Sequence, residues 1–152
     1  MKINPIGVIH SQYKTPEECP RQTCQSEQIS EIEVFAEYTG GLKDIEGFSH
    51  IIILYWLHKS KGYSLLVRTP WDTELHGLFT TRSPHRPNPI GISIVRLLER
   101  KGNILRVKGI DAIDGTPLID IKPYVPEFDE KEKREVKIGY CPTNRDLYKH
   151  PI

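Results

Sequence analysis

Ile51-Ile52-Ile53-Leu54-Tyr55-Trp56-Leu57 is the longest apolar run in the chain, seven residues bounded by Gly47 and Gly62. Its isoleucines, tyrosine and tryptophan favour a pleated strand, and the run is short for a helix, so it reads as a central strand buried on both faces. A core helix is the alternative for so short a run. Upstream, Pro5 precedes the strand-like residues 6–9, a comfortable position for a proline. Residues 11–28 hold two prolines and two cysteines without periodicity, the mark of a long connection of the functional kind. Ile32, Val34, Ala36 and Tyr38 then alternate with Glu31, Glu33 and Glu37, as in an antiparallel strand with one wet face, although Phe35 interrupts the polar row. Gly40-Gly41 closes that strand, and residues 42–45 leave room for a helical turn or two before Gly47.

Downstream, residues 65–69, 78–81, 90–98, 104–110 and 118–122 are strand-like and end on Gly, Pro or Asn signals. Strands this close together make a barrel or a sandwich, and no long helical pattern separates them, which disfavours a doubly wound sheet. The expected fold is mainly β: a single small β-barrel with short helical segments over residues 1–126. After Pro126 the character changes to a mixed charged run over 127–135, then Pro142 and a short helical stretch at 144–148. Residues 127–152 read as a charged extension of the same domain.

A chain of 152 residues suits one domain. With 21 Lys and Arg against 20 Asp and Glu, its net charge of +1 excludes a protein that coats nucleic acid by bulk charge. Any polyanion contact must come from a local patch. Cys19, Cys24 and Cys141 form no Cys-x-x-Cys pair, which argues against a zinc ribbon or a disulfide framework, and no metal is expected. The N-terminus lacks an apolar signal core, and seven apolar residues fall short of the about 20 that span a membrane, so a soluble, cytoplasmic protein is expected.

The most unusual stretch is Phe79-Thr80-Thr81-Arg82-Ser83-Pro84-His85-Arg86-Pro87-Asn88-Pro89-Ile90-Gly91. Each proline fixes its own φ and pushes the preceding Ser83, Arg86 or Asn88 toward an extended conformation, giving a stiff ribbon. Its backbone polar groups must find water, protein or ligand. Arg82 and Arg86 add two planar cations suited to carboxylate or phosphate; a rigid loop with solvated arginines is the plainer account. Asp114-Gly115 is a turn pair. Asp120 stands in a strand between Ile119 and Ile121, where a carboxylate must be solvated, paired or functional, and Lys122 shares its face. His58 and Lys59 end the central strand, where a lone histidine is more often structural than catalytic. No Gly-x-Gly-x-x-Gly or P-loop motif is present, and Gly91-Ile92-Ser93-Ile94-Val95 lacks the second glycine of a nucleophile elbow.

Taken together, Gly7-Val8-Ile9-His10-Ser11, Pro20-Arg21-Gln22, residues 42–50, the arginine and proline ribbon, and Asp114-Gly115-Thr116-Pro117-Leu118-Ile119-Asp120-Ile121-Lys122-Pro123-Tyr124 resemble, in this order, the TrmO (YaeB/TsaA-like) family. The resemblance implies a small non-Rossmann β-barrel methyltransferase that uses S-adenosylmethionine, generally as a homodimer. In bacterial and eukaryotic members the reaction is N6-methylation of N6-threonylcarbamoyladenosine in the anticodon loop of threonine tRNA, so the implied partner is tRNA, with neither DNA nor a membrane. The implied cofactor pocket comprises Arg21, Gln22, His58, Lys59, Arg82, Pro89, Ile90, Gly91, Ile92, Leu118, Ile119, Asp120 and Ile121. Bacterial members often carry a longer C-terminal extension than this chain, a departure that bears on tRNA selection.

Methyl transfer from a sulfonium needs donor and acceptor held in line and a proton removed from the acceptor nitrogen. Asp120 is the first candidate for that base or for orienting the cofactor, and Asn88 for a hydrogen bond to the adenine edge. Arg86 and Arg96 are the expected phosphate contacts, with Lys108 explained equally by a solvated face. Two other readings remain open: the same methyltransferase with a different acceptor, and a non-catalytic barrel that binds RNA on an aromatic face.

Overall fold

Strands that alternate buried aliphatics with outward residues pack around one face, and a sheet of them closes on itself when its edges meet. The computed structural model, which describes residues 1–20, 27–130 and 136–141, is such a closed sheet. Its strands are β1 (Gly7–His10), β2 (Ile29–Val34), β3 (His50–Trp56), the separate hairpin β4 (Leu66–Arg68) and β5 (Leu75–Gly77), β6 (Ile90–Lys101), β7 (Ile104–Lys108) and β8 (Thr116–Pro123). Around the barrel the order is β1-β2-β7-β6-β3-β8, and β8 pairs back onto β1; every neighbouring pair is antiparallel. A single α-helical turn, α1 (Pro126–Asp129), follows β8.

Ile9, Ile32, Ile51, Ile53, Leu105, Val107 and Leu118 fill the interior and are fully buried. Gly7 lets β1 come close to β2, since a Cβ there would stand 2.0 Å from the Glu33 carbonyl oxygen. Register shifts at Leu54/Tyr55 opposite β8 and at Leu97/Glu99 opposite β7 supply the bends that closure requires. The long β6 bridges two neighbours, so that Arg96 faces His50 on one side and Lys108 on the other.

Three expectations change. The run from Ile51 is buried on one face only: Ile51, Ile53 and Tyr55 point inward, while Ile52, Leu54 and Trp56 lie on the outer wall and stay partly exposed. A barrel has one inside, and among the described residues no helix covers this wall. Residues 78–81 are not a strand; Leu78–Thr80 is a 3-10 turn after β5. There the Thr81 amide and hydroxyl both donate to the Leu78 carbonyl, at 3.0 and 2.8 Å, a local competition for backbone partners that curls the chain. The alternation ending at Tyr38 stops as strand at Val34, because the Phe35 amide turns to the Ile6 carbonyl at 2.8 Å and Ala36–Leu42 coils as a 3-10 turn. A second 3-10 turn, Ile45–Gly47, follows. Among the described residues no helix is long and apolar enough to cross a membrane.

Candidate functional site

The proline ribbon is held by side chains that take up its carbonyls. Arg86 Nη1 donates to the carbonyls of Thr81 (2.8 Å), Ser83 (3.3 Å) and Leu78 (3.4 Å), and Ser60 Oγ donates to that of Pro84 at 2.7 Å. The Leu57 amide donates to the Pro89 carbonyl at 2.7 Å, so the ribbon is clamped to the end of β3 just before Ile90 pairs with Trp56. Three prolines set the backbone, and these bonds fix where it lies.

The clamp forms a cavity of about 400 Å³ at one edge of the barrel, lined by Trp56, Asn88, Pro117, Ile119 and the N-terminal residues Met1, Ile3 and Pro5. That volume falls in the size range of small-molecule sites, and an apolar wall with one amide side chain is their usual composition. His58 directly follows the clamp. Its buried Nδ1 has no hydrogen-bond partner among the described residues. Burial, then the neighbouring Lys59 charge, pushes the imidazole below its ordinary range, against an opposing hydrogen bond to the Trp56 backbone. The imidazole is therefore held toward its neutral form, with Nδ1 enclosed by protein. Lys59 and Arg82 stand exposed.

Asp120 is separated from Asn88. It lies opposite Leu54 and lines a second cavity of about 410 Å³ with Ile121, Ile6 and Tyr38. Its Oδ2 is 2.8 Å from Lys122 Nζ, the same-face neighbour pair that strand alternation anticipates. Leu118 points into the core, whereas Ile92 lies on the outer wall opposite Leu54. Arg86, expected at phosphate, devotes Nη1 to its own loop. Arg96 lies six positions along β6 from Ile90, roughly 20 Å from the ribbon. Arg21 and Gln22 lie outside the described residues, as does Cys24. Among the described residues no group of three or more His, Cys, Asp or Glu is arranged to hold a metal.

One cluster escaped the sequence reading. Tyr55 points into the barrel, and its hydroxyl donates to Asp111 Oδ1 at 2.8 Å and lies 2.9 Å from Ser93 Oγ, which also donates to that oxygen. Burial, then the Asp111 charge, holds the phenol far above its usual range. Burial, Asp111, Glu18 and Glu17 also push the Cys19 thiol up to about 11. The available signal was Gly91, directly opposite Tyr55, because a glycine inside a strand often marks a close approach. A Cβ there would stand 2.3 Å from Tyr55 Cε2.

Comparison with known proteins connects these features. The family model of the tRNA-methyltransferase O N-terminal domain matches residues 8–130. A probable S-adenosyl-L-methionine-binding protein of Pyrococcus abyssi is 56% identical over 141 residues, covering 92% of this chain and 76% of that protein. The tRNA (adenine(37)-N6)-methyltransferase of Escherichia coli is 39% identical over 132 residues, covering 80% of this chain and 56% of the enzyme. The crystal structure of TrmO from Pseudomonas aeruginosa superposes with a TM-score of 0.76 at 32% identity, over 93% of this chain and 63% of that one. The chain therefore spans a little over half the length of those two bacterial proteins. With its strand order, its clamped arginine and proline ribbon and the extent of the family match, the chain belongs to the tRNA-methyltransferase O N-terminal domain family.

Proposed function

We propose that this protein binds S-adenosylmethionine and methylates tRNA at N6 of the adenosine beside the anticodon, with N6-threonylcarbamoyladenosine as the acceptor. The observation that carries the reading is the edge of the barrel where the Leu57–Pro89 clamp brings Trp56, Asn88 and Ile119 around one cavity, beside a histidine with an unmet buried nitrogen. These residues fit the cofactor: Trp56 and Ile119 offer apolar walls to a purine, and Asn88 an amide for its edge. The cofactor supplies an electrophilic methyl group on a sulfonium. Arg82 and Lys59, with Arg21 and Gln22, are assigned to its binding, together with Pro89 to Gly91 and Ile119; Leu118 is enclosed in the core and Ile92 lies on the outer wall, so neither is kept in the cofactor site. The acceptor N6 is acidified by its adjacent carbamoyl carbonyl, so a modest base suffices. Asp120, the β8 neighbour of Ile119, faces the second cavity and is assigned to take that proton, with the acceptor base entering from that side and Lys122 holding Oδ2. In the transfer N6 would bond to the methyl carbon while the carbon–sulfur pair returned to sulfur, and Asp120 would receive the N6 proton.

The protein works as a homodimer through the outer wall of β3 and β6. Ile52 faces Ile94 and Leu54 faces Ile92, and Ile92 and Ile94 are 49% and 44% exposed. Such a contiguous apolar face suits a self-complementary interface. Sedimentation of the wild type and of Ile92→Arg tests this assignment: a dimer that the arginine dissociates supports it, and a monomeric wild type removes it.

Calorimetric titration with S-adenosylmethionine, followed by methyl incorporation into tRNA with and without the threonylcarbamoyl group, tests the activity. Saturable binding, weakened in folded Arg82→Ala, and methylation lost in Asp120→Asn are expected. No cofactor binding by the folded wild type would overturn the reading, while methylation of the unmodified adenosine alone would overturn the named acceptor.

A further inference from the structure

Phe79 is 73% exposed, an unusual setting for a phenylalanine, yet its backbone is rigidly placed. It sits in the 3-10 turn between buried Leu78 and Thr80, and the Leu78 amide donates to the Leu65 carbonyl at 2.8 Å. Tyr140 OH donates to the Thr80 carbonyl at 3.0 Å. The Arg86 guanidinium carbon stands 5.8 Å from the Phe79 ring centroid, within the range of a cation–π contact, and its Nη1 is tied to three carbonyls of the same loop. The turn that carries the ring and the cation beside it are thus held before any ligand arrives, which lowers the ordering cost of binding.

The charge around this ring differs from that of the chain as a whole. Residues 57–91 carry Lys59, Lys61, Arg68, Arg82 and Arg86 against only Asp72 and Glu74, which leaves an acidic excess on the rest of a chain whose net charge is +1. The segments join in space, since Ser60, flanked by Lys59 and Lys61, donates to the Pro84 carbonyl and meets His85 Nδ1 at 3.2 Å. An open aromatic face within a cationic segment matches single-stranded RNA, whose bases stack while its phosphates meet the cations. A second copy fits it poorly, because a two-fold interface here would bring like charges together.

Building on the proposed tRNA reaction, we infer that Phe79, braced by Arg86, is a stacking platform for an unpaired base of the acceptor RNA, with Lys61 receiving a flanking phosphate. It acts in binding the acceptor and has no part in holding the cofactor. The test uses the full chain and a synthetic stem-loop RNA carrying the adenosine beside the anticodon, with affinity read by fluorescence anisotropy. Phe79→Ala and Phe79→Leu should each weaken RNA binding by about 5- to 150-fold, as expected for loss of one base–aromatic stack. Phe79→Tyr should retain it, and all three variants should bind S-adenosylmethionine as the wild type does.

RNA binding by Phe79→Leu equal to that of the wild type would overturn the stacking role, since an apolar but non-aromatic side chain would then suffice. Dissociation of a dimer by Phe79→Ala with RNA affinity unchanged would assign the ring to a second copy and overturn the proposal as well. A wild type that binds the cofactor but not the RNA would bring down the tRNA reading and the platform together. A wild type that binds RNA as tightly as Phe79→Ala does would bring down the platform alone.

Discussion

Replacing Gly91 with alanine places a methyl group where the Tyr55 ring already sits. The new Cβ would lie 2.3, 2.6 and 2.8 Å from three ring carbons, closer by about 0.7–1.7 Å than the roughly 3.5–4.0 Å of an ordinary carbon contact. The ring has nowhere easy to go. It is 3% exposed, and its hydroxyl is tied to Asp111 and Ser93. Overpacking of this kind costs about 1–3 kcal/mol. If the ring swings aside to escape, Asp111 and Ser93 lose their phenolic partner, at a further cost of about 1–3 kcal/mol. The combined loss is a large part of the about 5–15 kcal/mol that stabilises an ordinary domain. At roughly 2–4 °C per kcal/mol for a chain of this size, Tm should fall on the order of 10 °C.

Thermal and urea unfolding followed by circular dichroism would measure the loss. Gly41→Ala is the control, because a Cβ there meets nothing within 4 Å. In a Tyr55→Leu background the struck ring is gone, so Gly91→Ala should cost less. A Tm within about 2 °C of wild type would refute the packing argument, and equal costs in both backgrounds would assign the loss elsewhere.

Two further predictions rest on titrating groups. His58 is held below its ordinary value of 6.5, so as pH falls the unfolded chain takes up this proton before the folded chain does, and stability should drop from pH 6.5 toward the depressed value. The lowered carboxylates, Asp72, Asp114 and Glu99, act only below their ordinary values of 3.8 to 4.5. His58→Gln should therefore flatten the urea midpoint across the window just below 6.5, and an unchanged slope would show that His58 is not its source. Cys19, pushed up to about 11, should alkylate near pH 8 about 100-fold more slowly in the folded protein than in urea, judged by its thiolate fraction. Asp111→Asn should speed that reaction, and equal folded and unfolded rates in the wild type would contradict the assigned environment.

Local physics made much of this protein readable in one dimension. Proline restricts itself and its predecessor, so the stiffness between Ser83 and Pro89 follows from adjacent residues alone. Strand alternation is equally local, and it placed Asp120 and Lys122 on one face before their 2.8 Å pairing was visible. The family itself was legible because its motifs are contiguous blocks. Tertiary structure decided what depends on closure. Which side of Ile51 to Trp56 faces water follows from the sheet having a single inside, a property of six strands and not of one. Leu78–Thr80 coils because threonine hydroxyls and a buried leucine compete with strand pairing, a balance that apolar character alone does not reveal. The Tyr55, Gly91, Ser93 and Asp111 cluster and the cavity shared by Trp56, Asn88 and Ile119 arise only when β3, β6 and β8 lie side by side. No periodicity reports such contacts, because sequence patterns record how a residue meets its chain neighbours, while a site records how distant segments meet one another.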